Sequence, residues 1–600
     1  MQGATLDLAN IIIKDDIATE LIGIYSDWEA RRQGWVAEKA EIQKYVWATD
    51  TTKTTNKQLP WKNSTTLPKL CQIRDNLYAN YMAALFPKRK WLNWEADSEK
   101  DQVKEKAEVI ESFMTNVIDR PEFKAEISKL LLDYIDYGNC IAGIEWIDET
   151  QLVPETNVEK AGYAGPIPRR VSPLDIVFNP VAPSFYRTGK FIRSLYTFGD
   201  FASKIEQETS DDNKEAMEKL MSYLRDLRVQ VGQFSGSFNT KNEILTVSGF
   251  SSFIDYLRSN YIETVTYYGD YYDLNAKKLY KNKVITIVDR HKVVDIRDNP
   301  SLLGGDGLFH CGWRVRQDSL WAMGPLDNLV GMQYRIDHLE NLKADVFDLI
   351  AAPPLKIKGL VDDFSWGPFS RIHVGDDGDV EVLAPDVNAL SANIEIQNLM
   401  NTMEEMAGSP KEAMGFRTPG EKTMYEVQRL ENAAARIFAT KIMQFEEQIL
   451  EPLLNSMLEM SVRKLNSTTI RIFDNMLNAT IFQDITKDDL SGSGRIRPMA
   501  ARNFAEKAEM VQNLNNFFAS ALGADPDVKV HFSTQKLAYM FEDLLNIEPY
   551  QVVSPFVRLA EKQEADGIVN SGQEQTMMET MTPSGMTPDD IPPELMNSGP

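Results

Sequence analysis

Residues 324–465 constrain this chain more than any other stretch. They read as a helix, a short β-rich excursion, a second helix, a loop and one very long helix. The first helix runs through GPLDNLVGMQYRIDHLENLKADVFDLI and opens at Gly324-Pro325. Proline suits a first helical turn, where its missing N–H costs nothing. Leu329, Met332, Ile336, Leu339, Val346 and Ile350 fall at the spacing of one helical face, which predicts the surface along which this helix packs. Ala351-Ala352-Pro353-Pro354 stops it, because proline disfavours helical geometry in the residue before it. The last helix starts near Gly420-Glu421-Lys422 and continues to about Leu465. At about 1.5 Å per residue it would be roughly 60 Å long. Pro452 lies inside it and cannot donate to the Gln448 carbonyl, so a kink is expected there. A helix of this length crosses a large assembly or packs against copies of itself.

Six hundred residues exceed one ordinary core, so several domains are expected. The formal net charge of −24 argues against a general nucleic-acid binder, which carries a basic face. It leaves room for a protein that handles DNA without gripping it, since an acidic wall repels phosphates. The three cysteines, Cys71, Cys140 and Cys311, are far apart in sequence and form no C-x-x-C pair, so they read as reduced, packed thiols. No apolar run reaches the ~18 residues of a membrane span. MQGATLDLANIII lacks the basic-then-apolar layout of a secretory signal, and cytosol-like conditions are expected.

Along the chain, residues 8–48 read as helices carrying Trp28, Trp35, Tyr45 and Trp47. Thr49–Gln58 reads as a loop. Leu70, Ile73, Leu77, Tyr81 and Leu85 then make one apolar helical face, closed by Pro87 and followed by the basic cluster Lys88-Arg89-Lys90. Helices at 99–118 and 121–137 precede a β-rich stretch over 139–198. Helix returns over 200–230 and β structure over 261–296, where the tyrosines of Tyr267–Tyr280 suggest cross-strand packing rather than base stacking. Residues 355–388 read as a small β-rich insert and about 390–406 as a helix. The loop 409–421, with two glycines and two prolines, can move, and Lys411, Arg417 and Lys422 give it local positive charge. Strands, a helix at 500–519, two shorter helices and a tail of disordered composition from about Asp566 complete the chain.

Nothing in the sequence asks for an enzyme. There is no G-x-x-x-x-G-K-[ST], no H-E-x-x-H and no G-x-S-x-G. The histidines, His291, His310, His338, His373 and His531, have no metal-ligand spacing. His310-Cys311, if in a strand, would face opposite ways. Asp376, Asp377 and Asp379 sit among glycines and read as a turn, not a cation loop. No cofactor and no metal are expected.

The order of parts, together with YGNCIAGIEW, RRVSPLDIVFNP, the AAPP helix stop and GEKTMYEVQRLENAAARIF, resembles the portal protein, or head–tail connector, of tailed bacteriophages, in particular short-tailed ones. The resemblance covers about Trp28 to Ala519 and rests on several patterns in order rather than on one motif. It implies an α+β, mostly α, portal fold. Residues 1–320 would form the wing, and 324–406 the two stem helices with a clip insert at about 355–388. Residues 409–421 would be the tunnel loop and 422–465 a long kinked wing helix. Residues 466–499 would be a wing β segment, 500–565 a helical crown and 566–600 a flexible acidic tail.

The resemblance further implies a ring, usually a homododecamer, around a channel for double-stranded DNA. The ring would sit at one capsid vertex of the virion and be present in host cytoplasm during assembly. Its partners would be the major capsid protein, the terminase motor and a tail adaptor, with no membrane. Lys411, Arg417 and Lys422 would lie near the narrowest point. Leu329, Met332, Ile336, Leu339, Val346 and Ile350 would pack the stem and its oligomer contacts. Two other readings compete: an enzyme of the packaging machinery, such as a terminase or nuclease, and a tail adaptor that is not a portal. The missing P-loop argues against the motor.

Overall fold

A computed structural model describes residues 11–14, 16–47, 63, 65–86, 91–96, 101–153, 158–207, 211–229, 261–273, 277–290, 292–351, 353–359, 378–383, 391–407, 438, 440–465, 467–474, 479–492 and 494–499. The chain divides into two units, residues 1–505 and 506–600, and every described residue lies in the first. The fold is α+β. The helices are α1 (Asp16–Val46), α2 (Lys69–Leu85), α3 (Asp101–Ile118), α4 (Pro121–Asp136), α5 (Phe198–Gln207), α6 (Asp211–Val229), α7 (Val330–Ala351), α8 (Ala392–Ala407), α9 (Glu451–Lys464) and α10 (Lys487–Leu490). No described helix is long and apolar enough to cross a membrane.

The largest sheet is antiparallel, in the order β1 (Ile11–Lys14), β9 (Lys292–Asp298), β8 (Lys278–Val288), β7 (Tyr261–Asp273), β6 (Lys190–Thr197), β5 (Ile176–Phe178). Its two faces follow from strand alternation. In β7, Val265 and Tyr267 face one way and join Phe191, Ile285, Ile287 and Val293 beneath α1 residues Ile17, Leu21 and Tyr25. The tyrosines pack across strands, with Tyr271 opposite Tyr280 and ring centroids 6.2 Å apart. A second sheet pairs β10 (Phe309–Gly312), β3 (Asn139–Val153) and β4 (Val158–Val171). Two-stranded pairs complete the list: β11 (Arg314–Arg316) with β12 (Ser319–Met323), β13 (Leu355–Lys358) with β14 (Asp379–Val382), and β15 (Ser467–Asp474) with β16 (Ala479–Thr486). Finally β17 (Gly494–Pro498) pairs with β2 (Leu92–Ala96), tying two distant parts of the chain together.

The main core gathers α2, α3, α4 and α9. Ile73, Leu77 and Tyr81 of α2 meet Ile127, Leu130 and Tyr134 of α4 and Leu453, Leu454 and Met457 of α9. Where α4 ends, Gly138 takes φ +69° and its backbone abuts Gly324; a Cβ there would lie 2.2 Å from the Gly324 nitrogen. The strand that follows carries Cys140, which lies directly opposite Cys311 in β10. Both thiols are free and buried, and burial pushes the Cys140 thiol well above its usual range, which suits packing rather than reactivity.

Several sequence expectations fall outside the described residues: Lys88-Arg89-Lys90, His291, His373, His531, Asp376, Asp377, most of the 355–388 insert, the loop 409–421, and everything beyond 499.

Candidate assembly surface

The stretch singled out at the start folds as helix, two-stranded ribbon and helix: α7, β13–β14 and α8. The first helix begins at Val330, five residues later than Pro325 suggested. Asp327 explains the delay. Its carboxylate accepts the Gly324 N–H at 2.9 Å and pairs with Lys39, so 324–329 is held as a turn. The two helices pack on each other and on α2. Lys343, in the second half of α7, donates to Asn393 at the start of α8 at 3.1 Å, and Glu404 near the end of α8 meets Lys69, whose neighbour Leu70 bonds Gln333 near the start of α7, so the helices run in opposite directions.

The six apolar positions expected on this helix, five on α7 and Leu329 in the turn just before it, divide. Leu329, Ile336, Leu339 and Val346 are buried within the protomer and Met332 is half-buried against the main core. They therefore hold α7 to its own chain and are not free for a neighbouring copy. Only Ile350 stays exposed, at 42%. Its surroundings are unusual. Sixteen large apolar side chains are exposed among the described residues, and seven of them cluster where α7 ends and α8 begins. These are Phe347, Leu349 and Ile350 of α7, Ile357, Val382 and Leu383 of the ribbon, and Ile394 of α8, the last 70% exposed. Scattered exposed apolar residues are normal, but their concentration at one end of a helix–ribbon–helix unit suits a surface that a partner covers.

The opposite side of α7 is polar and equally ordered. Gln333, Asp337, Asn341 and Asp345 recur every four residues. Each accepts a backbone N–H from the start of α2 or the segment before it: Leu70 in the first turn of α2 to Gln333 at 3.2 Å, then Leu67 to Asp337 at 3.1 Å, Thr65 to Asn341 at 2.7 Å and Asn63 to Asp345 at 3.0 Å. The match is geometric. Over Asn63, Thr65 and Leu67, four helical residues rise about 6 Å, close to the ~6.6 Å spanned by two residues of extended chain. Gln333 also donates to Asp337 at 2.9 Å, so the buried row is internally connected. At the root, Lys69 pairs with Glu404 of α8, both nearly fully buried.

Pro452 is the second residue of α9. The chain is helical over 440–445, and the turn just before the proline is a π-helix, Glu446–Leu450, in which the Glu451 N–H reaches back five residues to the Glu446 carbonyl. The one-residue slip accommodates the donor that proline lacks. The earlier part of the expected helix, from 420 to 437, and with it Lys411, Arg417 and Lys422, lies outside the described residues.

Of the expected histidines, His310 is part-buried and stacked on Phe185, with centroids 4.9 Å apart, and its Nε2 is 3.1 Å from Asn139 Oδ1. Burial, with help from the Lys190 charge, pushes it down to about 4, so it is neutral at pH 7. Among the described residues no His, Cys, Asp or Glu cluster could hold a metal ion. Sequence reasoning found the apolar side of α7 but missed the polar row, whose signal was the four-residue spacing of Gln, Asp, Asn and Asp. No protein-family model matches the chain, and no curated protein is detectably similar to it.

Proposed function

We propose that this chain is the subunit of a ring-forming DNA conduit of the portal type. It would be placed at a capsid vertex of a virion and assembled in host cytoplasm, and the reading gives it no catalytic step and no cofactor. The observation that carries it is the α7–ribbon–α8 projection. Polar contacts fix its root to α2, while its far end displays seven exposed apolar side chains. A ring closes through a heterologous contact, one face of each copy meeting a different face of the next. A projection with an apolar end is suited to that contact. The net charge of −24 fits a channel along which a polyanion slides. The partners that follow are copies of itself, as a homododecamer, the major capsid protein, a terminase motor, a tail adaptor and double-stranded DNA.

Negative-stain electron microscopy of the full-length protein tests the reading. Parent protein should form rings with a central hole. The double variant Ile357→Lys/Ile394→Lys, which places charge on exposed positions that the fold does not need, should shift to free subunits. Rings unchanged in the variant, or a parent that stays monomeric with and without its capsid partner, would overturn it. In the assembled particle, reversing the charge of Arg417 and Lys422 should impair DNA packaging while rings still form.

A further inference from the structure

The six-stranded sheet has a second face, away from α1: one end packs Tyr196, Ile262, Val288 and Val294 against α5 and α6, and its middle carries hydroxyls. Ser194 lies opposite Thr264 between β6 and β7, and Thr266 lies opposite Thr286 between β7 and β8. A sheet face packed only for stability would be apolar. This face, the β3–β4 ribbon, the turn before β10 and the C-terminal end of α9 enclose a cavity of about 340 Å³.

Charge in the cavity runs against the rest of the molecule. Arg169, Lys204, Arg297, Arg463 and Lys464 line it, against the acidic Glu145 and Asp306. The whole chain has an acidic excess of 24, so a local excess of cations is a reversal. Part of this charge is already engaged. Arg463 donates to the Pro300 carbonyl at 2.6 Å and pairs with Glu459, Arg297 lies 3.6 Å from Asp295, and Asp306 pairs with Lys190. Among the described residues no carboxylate pairs with Arg169, Lys204 or Lys464, the last 5.8 Å from the Trp146 ring centroid.

The geometry points to a binding site for a small anion bearing phosphoryl groups. Guanidinium, ammonium and hydroxyl groups are the donors that phosphate oxygens need, and charge-assisted hydrogen bonds are the strong ones. The volume lies at the lower end of ligand pockets, which suits a short polyphosphate or phosphate ester and excludes a polymer. These three cations come from three separate elements, β4, α5 and α9, so a bound anion would also tie these together. Nothing in this assignment depends on ring formation, and binding is read on the chain itself.

Isothermal titration of the full-length protein with tripolyphosphate, at fixed ionic strength, tests it. Saturable binding of one anion per chain is expected. Arg169→Gln/Lys464→Gln should weaken it at least about tenfold. Thr266→Val, which leaves every charge in place, should weaken it by a smaller factor. The half-exposed Lys204→Gln serves as a further variant least exposed to folding defects. Absence of saturable binding to the parent overturns the assignment. So does unchanged affinity in variants whose melting temperature matches the parent.

Discussion

Replacing Asp337 by alanine should destabilise the protein by about 2–4 kcal/mol, from one bond left unmade and one lost. The Asp337 side chain is fully buried. It accepts the Leu67 N–H at 3.1 Å and a Gln333 Nε2 hydrogen at 2.9 Å. Alanine leaves the Leu67 N–H beside a helix face with no acceptor, at a cost of about 1–3 kcal/mol. Gln333 keeps its bond to the Leu67 carbonyl, so it loses only part of its pairing, worth about 1 kcal/mol. Asp348→Ala is the control. It sits at the exposed end of the row, where Asn63 Nδ2 retains Asp345 at 2.7 Å, so its cost should stay below about 0.5 kcal/mol. Denaturant unfolding gives both differences, and amide hydrogen exchange gives the local effect: protection at Leu67 and Thr65 should fall in Asp337→Ala and persist in Asp348→Ala. Equal costs for the two variants, or unchanged exchange at Leu67, would refute the claim that α7 holds the preceding segment through this row.

Two further outcomes follow from single positions in the fold. His310 titrates near 4 in the folded chain and near 6.5 when unfolded, so the unfolded chain binds the extra proton first and stability is lost as pH falls from 6.5 towards 4. Over those 2.5 pH units this one group should cost the parent about 3 kcal/mol. His310→Gln should remove that slope, and parallel unfolding midpoints for parent and variant between pH 7 and pH 4 would count against the assignment. Gly138→Ala should lower stability by at least about 3 kcal/mol, since it adds left-handed strain to a backbone collision with Gly324. Gly304→Ala, with a similar φ of +75° and open space around it, should cost only about 1 kcal/mol. Equal melting temperatures for the two would remove the steric argument.

The parts legible in the sequence were those set by local spacing. The helices of α2, α4 and α7 show apolar residues at helical intervals, and the proline-rich ends of 324–354 bound the first helix closely on its C-terminal side. α1 was harder to read as a single 31-residue helix. Its buried residues change partners along its length, with Ile17, Leu21 and Tyr25 under the large sheet and Ile42, Tyr45 and Val46 in the main core, so no one stripe runs through it. The pairing of Cys140 with Cys311 joins residues 171 apart, which no local pattern encodes. The cationic cavity was hidden for the same reason: Arg169, Lys204, Arg297 and Lys464 belong to four separate elements in an acidic chain. The role of the α7 stripe shows the limit from the other side. Periodicity identified which residues are apolar together, but burial within the chain and burial against a copy leave the same pattern, and only the exposure of Phe347, Leu349 and Ile350 separates the two.

The projection inverts the usual placement of polar and apolar groups. Its root is buried and polar: Lys69 pairs with Glu404, and the row on α7 receives the amides of 63–70. From the same helix, Arg74 makes a two-bond contact with Asp136, at 2.7 and 3.0 Å, at the end of α4. α2 is thus joined by charge or hydrogen bond to α4, α7 and α8 at once. Dehydrating such charges offsets much of their attraction, so pairs of this kind contribute less to net stability than their number suggests. Their contribution is geometric, because one alignment of the four helices satisfies all of them and a slip of any helix strands a buried charge. The far end has the reverse character, with Ile357 and Ile394 exposed and with charge on the ribbon confined to opposed pairs, Lys356–Glu381 at 2.9 Å and Lys358 opposite Asp379, at the surface. A solvated pair of that kind is worth little. Burying the apolar end against a second surface would return about 25 cal/mol for each Å² covered. A root fixed in direction and an end left to be covered are together what a subunit needs if its neighbours are to meet it at one repeated angle.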